Sequence, residues 1–483
     1  MSTKRLPRRF DSRREFLLRT GMGFGALAAT SLLEAAKPLA PRPPHSRPAA
    51  KAVIYLFMHG GVSHVDTFDP KPELARLHGQ TLPPSYAKGL KTSRIDFTKA
   101  IIRGSPWKFS RYGRGGIEIS ELFPHLAQHA DDFVLIRSCH GDAFDHAPAM
   151  YLWSCGSQLP GRPSLGAWVV YGLGSENQNL PAFVVMSDGA MKCGPQGYGA
   201  GYLPAIYQGT VFRAGEAPVL NLSNPPGVSS ATQRATLDFI HQLNRKHLEA
   251  RPWDDELEAR LESYELAFRM QSEAPEAVDL SKETEATRKL YGIGEPHTDD
   301  FGRKCLLARR LVERGVRFVQ LYSGTHLGDD WDGAHNDLLG SHTKMAAKSD
   351  KPIHGLLTDL KNRGLLDETL VVWASEFGRT PLAEGPNGRD HHPYAFSMWM
   401  AGAGIEGGRV YGSTDEFGLR PVEKPVTNFD VNATILRLLG LDHQRLTYYF
   451  QGRDMRLTDV HGENEFTHFL LPHRQVAEAK PHA

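Results

Sequence analysis

Several features that often identify the class of a protein are missing from this sequence. The four cysteines, Cys139, Cys155, Cys193 and Cys305, show no CxxC pair or other zinc-type spacing, so no disulfide framework and no cysteine zinc site are predicted. The net charge is only +1 at pH 7, which gives no sign of nucleic acid or an anionic membrane as a partner. No internal repeat is visible, and no apolar run is long enough to be assigned as a membrane span.

What the chain does contain fits a soluble globular protein with an unusual amount of histidine. It has 483 residues, of which 40% are hydrophobic and 23% charged, enough for one large α/β domain with insertions or for two domains. It also has 22 histidines, and a histidine-rich chain of balanced charge favours metal or acid/base chemistry.

The N-terminus has the pattern of an export signal. "SRREFLL" at residues 12–18 precedes a Gly/Ala-rich apolar segment, as in twin-arginine signals, the alternative being a basic amphipathic helix. We therefore predict a twin-arginine signal segment at 1–36, a Pro-rich linker at 37–51 and one α/β domain at 52–470, with residues 1–50 outside the fold. The expected partner is the twin-arginine export machinery. The expected location is periplasmic or extracytoplasmic, with a membrane anchor if the signal is not cleaved.

The remaining chain alternates apolar runs with amphipathic stretches. The runs are typical of strands buried on both faces of a parallel sheet, and they occupy 52–61, 131–139, 180–188, 315–324 and 368–376. Helices are predicted between them, among others at 300–315, 348–364 and 430–440. This pattern predicts a doubly wound, mostly parallel α/β sheet with helices on both faces, a helical insertion around 225–300 and an irregular one around 75–120.

Histidines and carboxylates cluster where the predicted strands end, and in such sheets ligands bind at those ends. His59, His64 and Asp66 follow the first strand, although His64 and Asp66 could instead cap a turn. Ser138 ends the second strand, and His146 starts a predicted helix whose free N–H groups suit an anion or an activated side chain.

Two further clusters follow later strands. Asp332 and His335 lie three residues apart, a spacing that lets both bind one divalent cation, with a solvated acidic loop as the alternative. Glu376 ends the last strand and precedes Arg379, which is suited either to an oxyanion or to an ion pair with Glu376. The pair His391–His392 comes about fifteen residues later.

Together these residues predict a site for one or two divalent ions, Zn, Ca or Mg. The metal candidates are His59, His64, Asp66, Asp332, His335, Glu376, His391 and His392. The catalytic candidates are His146, Ser138 and Arg379. Two ions a few ångströms apart can activate an attacking oxygen and stabilise the leaving oxygen of a phosphate or sulfate ester. We therefore expect Glu376 and His391 to converge on a shared metal, and the substrate to be a small-molecule or glycan ester.

The order of these motifs resembles that of the alkaline phosphatase–sulfatase superfamily. More closely, residues 50 to 465 resemble a family of bacterial twin-arginine-exported proteins known only as a domain of unknown function, number fifteen-oh-one. "HAPAMYLWSCGSQLPGRPSLGAWVVYGLGSENQNLPAFVV", "EFGRTP", "GRDHHPYAFSMWMAGAG" and "FQGRDMRLTDVHGE" carry this resemblance. It implies an alkaline phosphatase/sulfatase-like fold and a metal-dependent ester hydrolase.

The chain departs from the superfamily pattern at several of these positions. His59 stands where an Asp usually follows the first strand, and Glu376-Phe377 stands where Asp-His is usual. His146 occupies the position of the nucleophile, and no Cys-x-Pro-x-Arg or Ser-x-Pro-x-Arg motif occurs. The nucleophile thus remains open between His146, water activated by a metal, and a hydroxyl such as that of Ser138. The competing hypothesis is a non-catalytic protein that keeps the fold and binds a polyanion such as a sulfated glycan.

Overall fold

The computed structural model describes most of the chain. The described residues are 38–187, 189–213, 215, 218–219, 222–250, 255–325, 329–461 and 465–470. The predicted signal segment 1–36 lies outside these ranges.

Sixteen strands occur among the described residues, and eight of them form one sheet. In chain order they are β1 (Ala52–Met58), β2 (Phe109–Tyr112), β3 (Ile117–Ser120), β4 (Phe133–Cys139), β5 (Phe183–Ser187), β6 (Thr210–Arg213), β7 (Phe318–Ser323), β8 (Thr369–Ala374), β9 (Gly378–Arg379), β10 (His391–His392), β11 (Phe396–Gly402), β12 (Arg409–Tyr411), β13 (Ser413–Thr414), β14 (Pro421–Glu423), β15 (Tyr448–Phe450) and β16 (Arg453–Met455). The large sheet has the order β12-β4-β11-β8-β1-β7-β5-β6.

The large sheet confirms the predicted α/β architecture. All seven residues of β1 and all six of β7 and of β8 are buried, so both faces of the central strands are covered. The five strands expected from apolar runs are present as β1, β4, β5, β7 and β8, all parallel. One central strand was not anticipated: β11 runs antiparallel between β4 and β8.

Twelve α-helices occur among the described residues. They are α1 (His64–Thr67), α2 (Pro72–Arg76), α3 (Pro84–Ala87), α4 (His146–Cys155), α5 (Leu165–Leu173), α6 (Ser230–Ala250), α7 (Asp255–Val278), α8 (Glu285–Leu290), α9 (Asp299–Glu313), α10 (Leu338–Asn362), α11 (Asn428–Leu438) and α12 (Glu465–Leu470). The helical insertion predicted around 225–300 is formed by α6, α7 and α8. The segment expected to be irregular around 75–120 contains α3 and the β2–β3 hairpin as well as coil.

Helix α10 starts ten residues earlier than the predicted 348. Asp337 caps it, because its side chain accepts a hydrogen bond from the N–H of Gly340 at 2.9 Å. This cap places the start of α10 directly after the short 3-10 helix Trp331–His335, and so close to the candidate site.

Residues 38–50 are packed on the domain, which corrects the expectation that the chain up to residue 50 lies outside the fold. Leu39 and Ala50 are buried. The N–H of Arg42 donates to the carbonyl of Leu173 at 2.9 Å, and the N–H of Ser46 donates to that of Gly440 at 3.0 Å. The segment predicted as a linker is therefore part of the folded domain from residue 38 onward.

None of the helices in the described part of the chain combines the length and the apolar character that a membrane span needs.

Candidate metal centre

Four side chains meet at the carboxyl edge of the large sheet, and we call them the four-donor centre. They are His146 at the start of α4, Asp332 and His335 in the 3-10 helix after β7, and His391 in β10. Nε2 of His391 lies 3.0 Å from Asp332 Oδ1 and 2.8 Å from Nε2 of His335. Nε2 of His146 lies 2.9 Å from the same Asp332 oxygen, and Nε2 of His335 lies 3.3 Å from it.

These distances fit atoms that share one metal ion. Donors bonded to one tetrahedral ion at 2.0–2.1 Å stand about 3.3 Å apart. Nε2 of His146 is buried and finds no aligned hydrogen-bond partner, although it lies 2.9 Å from the Asp332 carboxylate. Two triples from this region, His146–Asp332–His391 and His335–Asp390–His391, place their donor atoms within 4.8 Å of one another.

The outer nitrogen of each imidazole is held by an oxygen. Nδ1 of His146 hydrogen-bonds Glu376 Oε1 at 2.6 Å, and Nδ1 of His391 hydrogen-bonds the carbonyl of Phe144 at 2.7 Å. Nδ1 of His335 hydrogen-bonds the carboxylate of Glu384. Because a carbonyl or carboxylate only accepts, each Nδ1 carries the proton, and in the neutral ring Nε2 presents its lone pair to the centre. Three lone pairs and a carboxylate that face one another form a donor set that a bound cation can satisfy.

The charges around the centre keep its carboxylates ionised. Burial alone would raise the pKa of Asp332, but the imidazoles that surround it and the charge of Arg379 hold it well below its usual range. Burial would likewise raise the pKa of Glu376, but His146 outweighs burial and lowers it to about 2. Burial and the charge of Arg379 lower the pKa of His391, so this ring is neutral at pH 7.

Arg379 has a different role from the oxyanion fork considered above. The residue is fully buried, and its guanidinium donates to the carbonyls of Gly60 and Gly61 and to Asp332 Oδ1 at 2.8 Å. Its ion-pair partner is thus Asp332 and not Glu376. With its N–H groups engaged inside the protein, Arg379 neutralises part of the charge on Asp332 and offers nothing to a substrate.

The loop after β1 packs so closely against the loop that carries Asp332 that no side chain fits between them. Gly60 has φ +115°, and a Cβ there would lie 2.5 Å from the backbone nitrogen of Asp332. The N–H of Gly60 also donates to Glu376 Oε1 at 2.8 Å. Gly60 and Gly61, at the end of the first apolar run, therefore allow the loops that follow β1, β7 and β8 to meet.

His59 borders the four-donor centre without joining it. Its ring lies 6.2 Å from that of His146, and its Nδ1 lies 3.6 Å from Asp330 Oδ2. Burial lowers the pKa of His59 to about 4, so the ring is neutral. Burial raises the pKa of Asp330.

The structure places His64, Asp66, His392 and Ser138 away from the centre, in contacts of their own. Asp66 accepts from Ser63 Oγ at 2.5 Å and pairs with Arg389 Nε at 2.8 Å. His64 and His392 donate from Nε2 to the carbonyls of Gly418 and Leu419 at 2.8 and 2.9 Å. Ser138 is buried, and its Oγ donates to the carbonyl of Lys424 at 2.6 Å. These four residues therefore hold neighbouring segments together.

Asp390 also serves the fold, although it belongs to one of the candidate triples. Its carboxylate accepts from Ser93 Oγ at 2.7 Å, from the N–H of Arg94 at 2.8 Å and from that of Ile95 at 3.0 Å. It also accepts from the N–H of His391 at 2.8 Å. A carboxylate that receives four hydrogen bonds anchors the segment 93–95 behind His391 and is a poor metal ligand.

Sequence reasoning missed Lys192, Glu384 and the carbonyl of Phe144. The ammonium of Lys192 lies 2.5 Å from Asp332 Oδ2 and 3.5 Å from Asp330 Oδ2, with 12% of its side chain exposed. In such sheets ligands bind at the carboxyl ends of the strands, and Lys192 lies on the loop that follows β5, so this criterion would have identified Lys192. In the sequence, Glu384 lies between Glu376 and His391, and no spacing pattern indicates that it belongs to the site.

Fold and site together describe an α/β-sheet protein with a histidine-rich candidate metal centre at the carboxyl edge of its sheet. The chain belongs to the family described as Protein of unknown function (DUF1501), whose model matches residues 50–466. No curated protein matches the chain.

Several solved structures resemble the chain at low identity. The PsFucS1 sulfatase from Pseudoalteromonas sp. is 15% identical, with a TM-score of 0.38 over 97% of this chain and 77% of that one. Ps i-CgsB in complex with k-i-k-neocarrahexaose is 12% identical, with a TM-score of 0.36 over 82% of this chain and 72% of that one. The alkaline phosphatase from the Antarctic bacterium TAB5 is 11% identical, with a TM-score of 0.33 over 82% of this chain and 99% of that one. Likenesses of this size do not assign an activity to the chain.

Proposed function

We propose that this protein is an exported, metal-dependent hydrolase of phosphate or sulfate esters whose active site is the four-donor centre. The observation that carries the proposal is the convergence of three imidazole Nε2 atoms and one carboxylate oxygen, with each imidazole oriented from behind by an oxygen acceptor. This donor set with its supporting acceptors is characteristic of metal sites.

The donor set favours a zinc-type ion over calcium or magnesium. Three nitrogens and one oxygen suit a borderline divalent ion, whereas Ca and Mg take oxygen ligands. Phe377 packs its ring 4.9 Å from that of His146 and 4.4 Å from that of His391. A second ion would depend on Asp390, whose carboxylate already accepts four hydrogen bonds, so we propose one ion and not two.

Each polar group of the site has a part in ester hydrolysis. His146, Asp332, His335 and His391 would hold the ion, and because these four donors already fill a four-coordinate ion, Lewis-acid activation of the ester or of the attacking water would require it to accept a further ligand. Glu376 orients His146. Lys192 is the partly exposed cation at the centre, so its ammonium is the group that can meet the anionic oxygens of the ester.

The decisive experiment is metal analysis of the full chain purified from cells, combined with assays on an aryl phosphate, an aryl sulfate and a sulfated oligosaccharide. We expect about one tightly held zinc-type ion per chain, and hydrolysis that a chelator abolishes and added Zn²⁺ restores. Ser138→Ala is the matched control, because Ser138 lies outside the centre and its hydroxyl contacts the carbonyl of Lys424. Absence of a bound ion would refute the metal centre. A bound ion without hydrolysis, together with binding of the intact oligosaccharide, would favour the non-catalytic polyanion-binding alternative.

Export by the twin-arginine route is part of this proposal. It is supported by "SRREFLL" at residues 12–18. Arg13→Lys combined with Arg14→Lys should retain the folded, metal-loaded protein in the cytoplasm, and fractionation followed by immunoblotting measures this. Normal export of the double variant would refute the signal.

A further inference from the structure

His335 is held from behind by a side chain that belongs to a separate loop. Its Nδ1 hydrogen-bonds Glu384, which lies between β9 and β10, while its Nε2 faces Asp332 and His391. The Glu384 side chain is 15% exposed, and its other oxygen lies 3.4 Å from the guanidinium of Arg94. Glu384 is thus a carboxylate directed onto one ligand of the four-donor centre.

The turn Glu384–Gly388 is built to lie directly on His335. Glu384 and Gly388 exchange both backbone hydrogen bonds at 2.9 Å, which closes the turn. A Cβ at Gly388 would lie 1.7 Å from the carbonyl oxygen of His335, so only glycine permits this approach.

Backbone hydrogen bonds fix the turn on both sides of His335. The N–H of Leu338 donates to the carbonyl of Asn387 at 3.0 Å, and the N–H of Arg389 donates to the carbonyl of Ala334 at 2.9 Å. The position of Glu384 relative to the imidazole is therefore set by the main chain and does not depend on a flexible loop.

We propose that Glu384 is the positioning residue that fixes the ring and tautomer of His335, so that Nε2 is available to the metal ion; this rests on the function proposed above. A neutral imidazole carries its proton on either nitrogen, and the acceptor behind Nδ1 selects the form whose Nε2 lone pair faces the centre. Without that acceptor, part of the population carries its proton on Nε2 and the ring can rotate. Loss of such a supporting hydrogen bond lowers metal affinity by roughly 10–100-fold.

The test compares the metal affinity of four full-length proteins: wild type, Glu384→Leu, Glu384→Gln and Asn387→Ala. Zn²⁺ affinity is measured by competition with a chelator, and the ligand field by the visible absorption of the Co²⁺ form. We expect Glu384→Leu to bind Zn²⁺ about 10–100-fold more weakly and to shift the Co²⁺ spectrum. Glu384→Gln should recover most of the affinity, because the amide oxygen accepts the same N–H. Asn387→Ala should match wild type, because Asn387 contributes only its backbone carbonyl to the contact with Leu338.

The rescue by Gln separates positioning from a general effect on folding, and thermal unfolding of the metal-free proteins provides a second check. Equal affinity of Glu384→Leu and wild type would overturn the proposal, as would a Glu384→Gln protein as weak as Glu384→Leu. If wild type itself bound no ion, the function proposed above would fail, and the positioning role with it. If wild type binds Zn²⁺ tightly and Glu384→Leu binds it equally well, only the positioning role of Glu384 is refuted, and the metal centre stands.

Discussion

His391 and His392 are consecutive in the chain and point to opposite faces of the short strand β10. Strand β10 pairs with β9 so that His391 faces Arg379 and His392 faces Gly378. Side chains alternate along a strand, so His391 reaches Asp332 at 3.0 Å while His392 stacks on His64, with ring centroids 6.0 Å apart. The alternation assigns one histidine to the centre and the other to the protein interior.

Substituting the two histidines separately should therefore give opposite results. His391→Ala removes a donor of the four-donor centre, and we expect its metal affinity to fall further than the roughly 10–100-fold that loss of a supporting hydrogen bond costs. His392→Ala should retain the metal but lose about 2–4 kcal/mol of stability, because a fully buried ring is removed. Metal content and urea unfolding measure the two effects. Loss of metal in His392→Ala alone would reverse the assignment.

Lys192 should affect substrate binding more than metal binding. Lys192→Met removes the ammonium beside Asp332, and the lost charge-assisted hydrogen bond to the ester is worth about 1.5–3 kcal/mol, or roughly 10–100-fold in KM. Lys344→Met is the control, since Lys344 pairs with Asp329 on an exposed part of the neighbouring segment. Steady-state kinetics on aryl phosphate and aryl sulfate give the values. An unchanged KM in Lys192→Met, with metal still bound, would exclude contact between Lys192 and the substrate.

The interior histidines should make the metal-free protein sensitive to acid. Burial and the neighbouring His64 lower the pKa of His392 to about 3, against an ordinary value of 6.5. Below about pH 6.5, His392 therefore becomes protonated in the unfolded chain but stays neutral in the folded protein. Stability contributed by this residue is constant above that pH and falls by up to about 1.4 kcal/mol per unit as the pH drops toward 3.

His392→Gln tests this dependence, because its amide can donate to the carbonyl of Leu419 and does not titrate. The difference in unfolding free energy between wild type and His392→Gln should change with acid between pH 6 and 4. His247→Gln, at an exposed position of α6, should leave the pH dependence unchanged. Parallel curves for wild type and His392→Gln would show that His392 titrates normally in the folded protein.

Removal of residues 38–50 should destabilise the domain. A chain that begins at Lys51 loses the burial of Leu39 and Ala50 and several backbone hydrogen bonds to Leu438 and Gly440, and we expect a loss of at least about 2 kcal/mol. A chain that begins at Lys37 retains these contacts and is the control. Equal urea midpoints for the two would mean that the segment adds nothing to stability.

The sequence was most informative where one physical rule dominates. Continuous apolar runs indicated β1, β4, β5, β7 and β8, because strands buried on both faces exclude polar residues. Strand β11 has the same character in "FSMWMAG", but it directly follows the histidine pair, and nothing local shows that it pairs antiparallel with β4 and β8. The pairing of β11 with β4 joins residues more than 250 positions apart in the sequence, and no local pattern indicates a contact over that distance.

The candidate site was predictable only in part, for a similar reason. Residue type and strand-end position indicated His146, Asp332, His335 and His391, and the structure brings these four together. The same criteria also selected Asp66, whose buried partner Arg389 lies 323 positions away. Whether a carboxylate joins the four-donor centre, as Asp332 does, or is held in the interior, as Asp66 is, depends on its three-dimensional neighbours, and a single sequence does not list them.

The reversed direction of β11 constrains the length of the segment that positions His391. Five strands of the sheet, β1, β4, β5, β7 and β8, supply residues of the site or its border from where they finish, but β11 supplies His391 from where it starts, through the three-residue link Pro393–Ala395 that follows His392. An insertion in that link would turn His391 away or shift it along the sheet, so its length is not free to vary. Related chains are therefore expected to keep the link after β10 three residues long and to differ in length at connections that carry no residue of the centre.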